Sequence, residues 1–390
     1  MAASNGSQSD WMAFREQMPV CDKWVFLDHA AVAPLSMKAK NAMVQWVSDQ
    51  SENGVACGSH WLRTVEQARR AAAMLIGSHV DEIAFVKNTS EGLAMIAEGV
   101  RWKAGDNVIS VQEEYPANVY PWMNLQRRGV GFKRIPLRDG RIVIEDLSSA
   151  MDARTRLLTI SFVEFATGFR NDLERLAYLC QERNVLFCVD AIQGLGVFSI
   201  DVKKLPIDFL AADGHKWLLG PEGAGILFCR KKHFDQLDLV NVGWNSVVGS
   251  NNFSTIDYRL KPTAARWEGG SNNIAGIAGL GASLEWLLTI GIEQISERVI
   301  QLTDLLCTRL QDLGGTLVSS RRTGDKSGIV SVSWPTLNAR SLRHYCWENR
   351  VLLSVRAGRI RISPHFYNTE EEIEVLCSVL YDGIGQAGKS

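Results

Sequence analysis

The sequence predicts an α/β fold: a large domain on a mixed, mainly parallel sheet, followed by a small α+β C-terminal domain. Three observations carry this. Short runs rich in Val, Ile and Leu alternate with helical periods through the first two thirds of the 390 residues. Those runs are apolar at nearly every position, as strands covered by helices on both faces must be. The last hundred residues change character, with β-rich pieces and amphipathic helices of their own.

In chain order, the strand-like runs fall at 82–86, 107–111, 157–161, 185–189, 209–212 and 225–229, with a helical period over 173–183 between two of them. The apolar stretch 274–292 is interrupted by Glu285 and rich in Gly and Ala. It predicts a buried helix rather than a membrane span. A helix over 293–313 leads to β-rich pieces at 317–318 and 328–333. A helix over 339–349 and strands at 352–355 and 359–362 follow. A closing helix starts from Thr369, where a capping residue precedes three glutamates that suit the helix dipole. The organisation is an N-terminal segment 1–19, a large domain 20–285 and a small domain 286–390.

Apolar residues make up 46% and charged residues 22%, which excludes a disordered chain. Forty-two basic residues against 43 acidic ones leave a net charge of −1, too little field to hold a polyanion, so nucleic acid is not expected as a partner. The first 18 residues lack the apolar core of a secretory signal. The eight cysteines form no CxxC pair and show no metal-ligand spacing. They read as reduced thiols, and a cytoplasmic protein with neither a metal nor a membrane partner is expected.

Three segments carry chemistry. The run 83–86 leads into Lys87-Asn88-Thr89-Ser90-Glu91-Gly92 and a helical period. Strand, polar turn and helix start make an anion site, with Thr89 and Ser90 adding hydroxyls; ordinary capping would look the same. The run 185–189 ends in Asp190-Ala191-Ile192-Gln193. A carboxylate at the carboxyl end of a buried strand faces the crevice where α/β proteins bind ligands, and a protonated ring nitrogen would partner it as well as a structural salt bridge would. Finally, 209–212 leads into Asp213-Gly214-His215-Lys216-Trp217-Leu218-Leu219-Gly220-Pro221. A lysine among three large apolar residues is partly desolvated, which favours the neutral amine that forms a Schiff base. Gly194-Leu195-Gly196 lacks the third glycine of a dinucleotide fingerprint, which disfavours a nicotinamide oxidoreductase.

Taken in order, the anion turn, Asp190 with Gln193, and Asp213-x-His215-Lys216 resemble the class V aminotransferase family of pyridoxal-phosphate enzymes, which includes cysteine desulfurases, kynureninase and isopenicillin N epimerase. The resemblance runs from Phe26 to Tyr381 and implies the fold-type-I architecture of pyridoxal-phosphate-dependent transferases. It implies pyridoxal 5'-phosphate on Lys216 as a Schiff base, Asp190 at the ring nitrogen, and Gln193 near the phenolic oxygen. Thr89, Ser90 and His215 would contact the phosphate, with Asp213 beside them. Tyr115 occupies the place where desulfurases carry a ring-stacking histidine. Ser271, in Trp267-Glu268-Gly269-Gly270-Ser271-Asn272-Asn273, resembles the residue that reaches a partner subunit's phosphate, which implies a homodimer with shared sites. Arg361, before Tyr367-Asn368-Thr369, matches the substrate-carboxylate arginine, and Arg359 on the same strand face could share the task.

No cysteine lies between Cys346 and Cys377, where desulfurases place their nucleophile. A persulfide route needs a mobile thiolate near the substrate sulfur, so desulfurase activity is not expected. The expected reaction is transamination of an amino acid, which needs one movable base, Lys216. C–S lyase chemistry and epimerisation are the alternatives. Epimerisation would require a second acid/base, for which His29, His60 and Tyr258 are candidates; His29 and His60 are also candidate substrate contacts. A non-catalytic scaffold of the same fold is disfavoured by the presence of Lys216.

Overall fold

The computed structural model describes residues 8–138 and 140–387. Of the N-terminal segment 1–19, residues 1–7 therefore lie outside the described part. Helix α1 (Gln8–Arg15) is followed by the two-residue strand β1 (Val25–Phe26) and by helices α2 (Met37–Asn53) and α3 (Gly58–Leu75). Ser36 caps α2, its Oγ accepting from Ala39 N at 3.2 Å.

The large domain then alternates strand and helix: β2 (Ile83–Val86), α4 (Thr89–Gly99), β3 (Asn107–Val111), α5 (Tyr120–Asn124), β4 (Gly131–Ile135), α6 (Ile144–Ala150), β5 (Thr155–Ser161), α7 (Leu173–Glu182), β6 (Leu186–Asp190), β7 (Phe209–Asp213) and β8 (Gly225–Cys229). These seven strands form one sheet in the order β2-β8-β7-β6-β5-β3-β4. Only β8 runs against its neighbours. Side chains alternate between two cores: Phe187 and Val189 enter one with Leu158 and Leu210, while Cys188 enters the other with Phe209 and Leu227. Burial on both faces explains the continuous apolar runs. Strand β4 escapes that signature because it is the sheet edge and carries Lys133 and Arg134, which suit an edge rather than a core.

Helix α8 (Ile274–Ile290) packs against α2 and α3. Its glycines allow the close approach: a Cβ at Gly281 would fall 2.7 Å from Ala68 Cβ. Gly291, at φ 95°, breaks it from α9 (Ile292–Asp312), which turns away by 82°. Among the described residues no single helix is long and apolar enough to cross a membrane. The first turns of α9 enter the large-domain core through Ile295 and Val299, and its later turns enter a separate core through Leu302, Leu306 and Leu310.

That second core lies under β9 (Thr316–Leu317), β10 (Val330–Ser333), α10 (Ala339–Glu348), β11 (Val351–Leu352), β12 (Ser354–Arg356), β13 (Arg359–Ile362) and α11 (Glu370–Ala387). Strands β12-β13-β10-β9 form an antiparallel sheet. The run expected at 352–355 is split at Leu353: β11 leaves to pair with β1, aligning Val25 with Val351, while β12 stays in the sheet. Ala357 (φ 48°) and Gly358 (φ 74°) close β12 onto β13 in a two-residue turn whose positive φ angles match the strand twist.

A buried ion pair ties the sheet edge to the segment before α8. Arg69 Nη1 lies 2.5 Å from Glu268 Oε1 and Nη2 3.2 Å from Oε2. The same arginine donates to Ile83 O, and Glu268 accepts from Phe85 N, both at 2.9 Å. Glu268→Ala would remove the buried partner of the guanidinium and leave it only the exposed Glu66, 3.1 Å from its Nε, at a cost of up to about 3 kcal/mol. We expect a lower urea midpoint for that variant, and a smaller loss for Arg69→Met combined with Glu268→Leu.

Candidate active site

The carboxyl ends of β6 and β7, the start of α4 and the β12–β13 hairpin open on one cavity of about 780 Å³. At its floor, Asn88 caps α4, its Oδ1 accepting from Glu91 N at 2.9 Å. This leaves Thr89 and Ser90 in the first turn, where backbone N–H groups have no helical partner. Thr89 Oγ1 accepts from Asp213 N at 3.0 Å, which joins α4 to the end of β7 and leaves the hydroxyl hydrogen free. His215 Nδ1 is buried and lies 2.8 Å from Asp213 Oδ2, but no acceptor is aligned with it.

Lys216 follows β7, and the buried residues Trp217, Leu218 and Leu219 explain why the loop cannot face solvent. Its Nζ lies 5.3 Å from the centre of the Tyr115 ring. Burial draws the Lys216 pKa down to about 8; the Asp190 charge opposes this, and the Arg361 and Arg356 charges add to it. Asp190 ends β6. Burial pushes its carboxyl up to about 6, against a hydrogen bond from Ile192 N at 3.2 Å and the charge of Lys216. No cationic side chain lies within ion-pair distance of Asp190 among the described residues. Gln193 Oε1 accepts from Trp217 Nε1 at 2.9 Å and Nε2 donates to Ala30 O at 3.0 Å, leaving one amide hydrogen for the cavity. Tyr115 is half-exposed and meets Phe165 edge-on, with ring centres 5.2 Å apart.

Arg361 reaches the cavity from β13. Its Nη1 donates to Phe165 O at 3.0 Å and its Nε to Ser354 Oγ at 3.1 Å, while Nη2 lies 3.4 Å from Asp28 Oδ1. Burial lowers its pKa to about 10. Behind the cavity sit two buried acids that the sequence did not single out as a pair. Glu114 accepts from Ser161 N and Oγ, both at 2.6 Å, and burial pushes its carboxyl up to about 7. Glu164 is held well above the usual carboxylate range by burial and by the charge of Glu114.

Several expectations are corrected by position. His29 does not face the cavity: it is fully buried, with Nδ1 2.8 Å from Ser363 O and Nε2 2.5 Å from Tyr367 OH, and burial holds its pKa well below the usual imidazole value. It braces the N-terminal segment against the small domain. His60 is exposed on α3 and does not line the cavity. Tyr258 sits on an exposed loop that lines a separate surface pocket. Arg359 pairs with Arg356 across the hairpin, and it is Arg356 that lines the cavity. Ser271, expected at a partner subunit's phosphate and not at this chain's own site, is not one of these corrections: it lines a different cleft of about 340 Å³, and Asn273 reaches both. The backbone of Ala30–Val32 also lines the cavity, a contribution no local motif announced because it depends on β1 joining the small domain. Among the described residues no cysteine lines the cavity. Burial pushes the Cys21 and Cys346 thiols up to about 12 and those of Cys307 and Cys377 to about 11.

An unpaired buried aspartate, an imidazole with an unused nitrogen, a helix N-terminus and a desolvated lysine together fit a phosphorylated, protonatable aromatic aldehyde. A model of the family described as aminotransferase class-V matches residues 25–376. A probable cysteine desulfurase from Methanothermobacter thermautotrophicus is 30% identical, over 95% of this chain and 97% of that protein. The apo structure of a cysteine desulfurase from Thermococcus onnurineus NA1 superposes with a TM-score of 0.90 at 26% identity, covering 99% of this chain and all of that one. The cystine C–S lyase C-DES, in complex with its product cysteine persulfide, shares the fold at 23% identity with a TM-score of 0.88, over 94% of this chain and 99% of that one. The desulfurase relatives overturn the expectation of transamination: they cleave carbon–sulfur bonds, and a single movable base serves that elimination as well as it serves amino-group transfer. The cofactor is pyridoxal phosphate, and the chain belongs to the class V aminotransferase family of pyridoxal-phosphate enzymes.

Proposed function

We propose that this protein is a C–S lyase that cleaves the Cβ–S bond of a cysteine-type amino acid by β-elimination, without a protein-bound persulfide. One observation carries this: the β12–β13 hairpin turns in two residues and presents arginines, not a thiol, to the cavity. The desulfurase relatives support carbon–sulfur chemistry, and the missing thiol separates it from a desulfurase route.

Pyridoxal phosphate, when bound, supplies a protonated ring that withdraws electrons from the substrate's Cα. Thr89, Ser90, His215 and the α4 N-terminus would hold its phosphate. Asp190 would accept from the ring nitrogen and keep it protonated, Gln193 would donate its free hydrogen to the phenolic oxygen, and Tyr115 would cover the ring face. Lys216 is the attachment point, and its depressed pKa keeps a useful fraction neutral near pH 7. Arg361 retains an N–H on each terminal nitrogen and takes the substrate's α-carboxylate. Lys216, as a free amine, would take the Cα proton, and the sulfur would leave with the Cβ–S electron pair. From cysteine and one water, the products are pyruvate, ammonia and hydrogen sulfide, with no outside oxidant or reductant.

The same reading includes a homodimer. The loop carrying Trp244, Phe253, Ile256 and Tyr258 is exposed, with Ile256 97% accessible, a large apolar surface for a soluble chain. Ser271 lies on the large domain near that loop's return and would reach the partner's phosphate.

Borohydride reduction followed by peptide mapping should find the pyridoxyl label on Lys216, and Lys216→Ala should lack visible absorbance; a label on another lysine would refute the attachment point. Cofactor uptake by apoprotein should speed up as pH rises and flatten above about 8, where the Lys216 amine is neutral. With L-cysteine or L-cystine, and no keto acid or acceptor thiol, pyruvate and ammonia should form in equal amounts; alanine as the product would point instead to a desulfurase. Sedimentation should give twice the 43.3 kDa chain mass. Mixing Lys216→Ala with Ser271→Trp should restore activity that neither has alone, and failure after verified subunit exchange would sink the shared site.

A further inference from the structure

The hairpin carries two guanidinium groups to the cavity. Its register sets Ser354 opposite Arg361 and Arg356 opposite Arg359. Alternate residues share a face, so Arg356 and Arg361 are diagonal neighbours on one face, with Cα atoms about 7–8 Å apart. Both line the cavity. Their surroundings differ. Arg361 is 1% exposed and bonded to Phe165 O, Ser354 Oγ and Asp28. Arg356 is half-buried, and its hydrogen bond is to the carbonyl of its own neighbour, Val355 O, at 2.9 Å. Among the described residues no carboxylate lies within ion-pair distance of it. Asp28, the nearest acid on the adjoining segment, is already bonded to Ser354 Oγ at 2.8 Å and to Arg361. Asp213 is turned to Gly214 N and His215, and Glu222 stands exposed at the rim.

Lys216, Arg356 and Arg361 thus share one cavity. The charge of Arg356 is close enough to disfavour the cationic forms of both others. One α-carboxylate answers Arg361 and leaves Arg356 without an anion. Taking Arg361 as the α-carboxylate grip, as above, we infer that Arg356 forms a second anion subsite, so that the preferred substrate carries a carboxylate at its far end: a disulfide-linked or S-carboxyalkylated cysteine rather than cysteine itself. The bonds broken remain Cα–H and Cβ–S. With a disulfide substrate and one water, the products are pyruvate, ammonia and a persulfide that keeps the distal carboxylate, and no external electron acceptor is needed.

The test separates this subsite from the lyase chemistry by using ligands with no carbon–sulfur bond. α-Aminosuberate and α-aminooctanoate have the same chain length and differ only in a terminal carboxylate against a methyl group. Calorimetry on the holoenzyme should show the dicarboxylate binding at least about tenfold more tightly, as one well-placed charge-assisted pair allows. In Arg356→Gln that ratio should fall towards one, and Arg356→Lys should restore part of it, with circular dichroism confirming the fold. A wild-type preference below about tenfold, or an Arg356→Gln ratio above half the wild-type value, overturns the subsite. Absence of pyruvate from any sulfur substrate would overturn the lyase reading and leave the calorimetric result standing.

Discussion

The site rests on two opposite charges held where the protein disfavours both. Asp190 and the loop of Lys216 leave adjacent parallel strands, β6 and β7, at their carboxyl ends. Helices cover both faces of that sheet, so neither group is well solvated, and burial moves their pKa values towards each other, to about 6 and about 8. Each group is costly to bury as a charge without a close partner. A ligand with a basic ring nitrogen and a carbonyl carbon answers both groups at once, so the burial that disfavours each charge suits the cofactor.

The large domain lines the cavity with Thr89, Asp190 and Lys216, and the small domain with Arg356 and Arg361. Beside hydrogen bonds such as Ser327 Oγ to Gly168 O, two longer elements tie them together. Helix α9 runs from one core into the other. Strand β1, near the start of the chain, pairs with β11 near its end, which brings Asp28 to Arg361 and Ala30 O to Gln193. His29, locked between Ser363 O and Tyr367 OH, stiffens that crossing. Its burial and low pKa make it a brace, and a histidine drawn from a list of possible acids and bases had no way to show this in one dimension.

Transamination and the carbon–sulfur chemistry of the relatives share the same first step, removal of a Cα proton, which we propose falls to Lys216. They part at the next bond, and that choice lies with the substrate and with the residues around its side chain. The β12–β13 connection is a two-residue turn without a cysteine, and Arg356 beside it lines the cavity. On the reading proposed above, this one turn bears both on the absence of a thiol from the cavity lining among the described residues and on the charge offered to the substrate's far end.

From the sequence alone came the alternating fold, the core strands and the candidates Lys216, Asp190, Gln193, Thr89, Ser90 and His215, all of which line one cavity. Each of these lies within a few residues of a strand end, and strand ends announce themselves by apolar runs followed by polar turns. The edge strand β4 was hidden because Lys133 and Arg134 need no core. Only the tertiary structure decided which arginine joins Arg361, that His29 and His60 stand apart from the cavity, and that residues 30–32 close one wall of it. These depend on register across a hairpin and on pairing between residues more than three hundred positions apart, and local pattern carries no information about either.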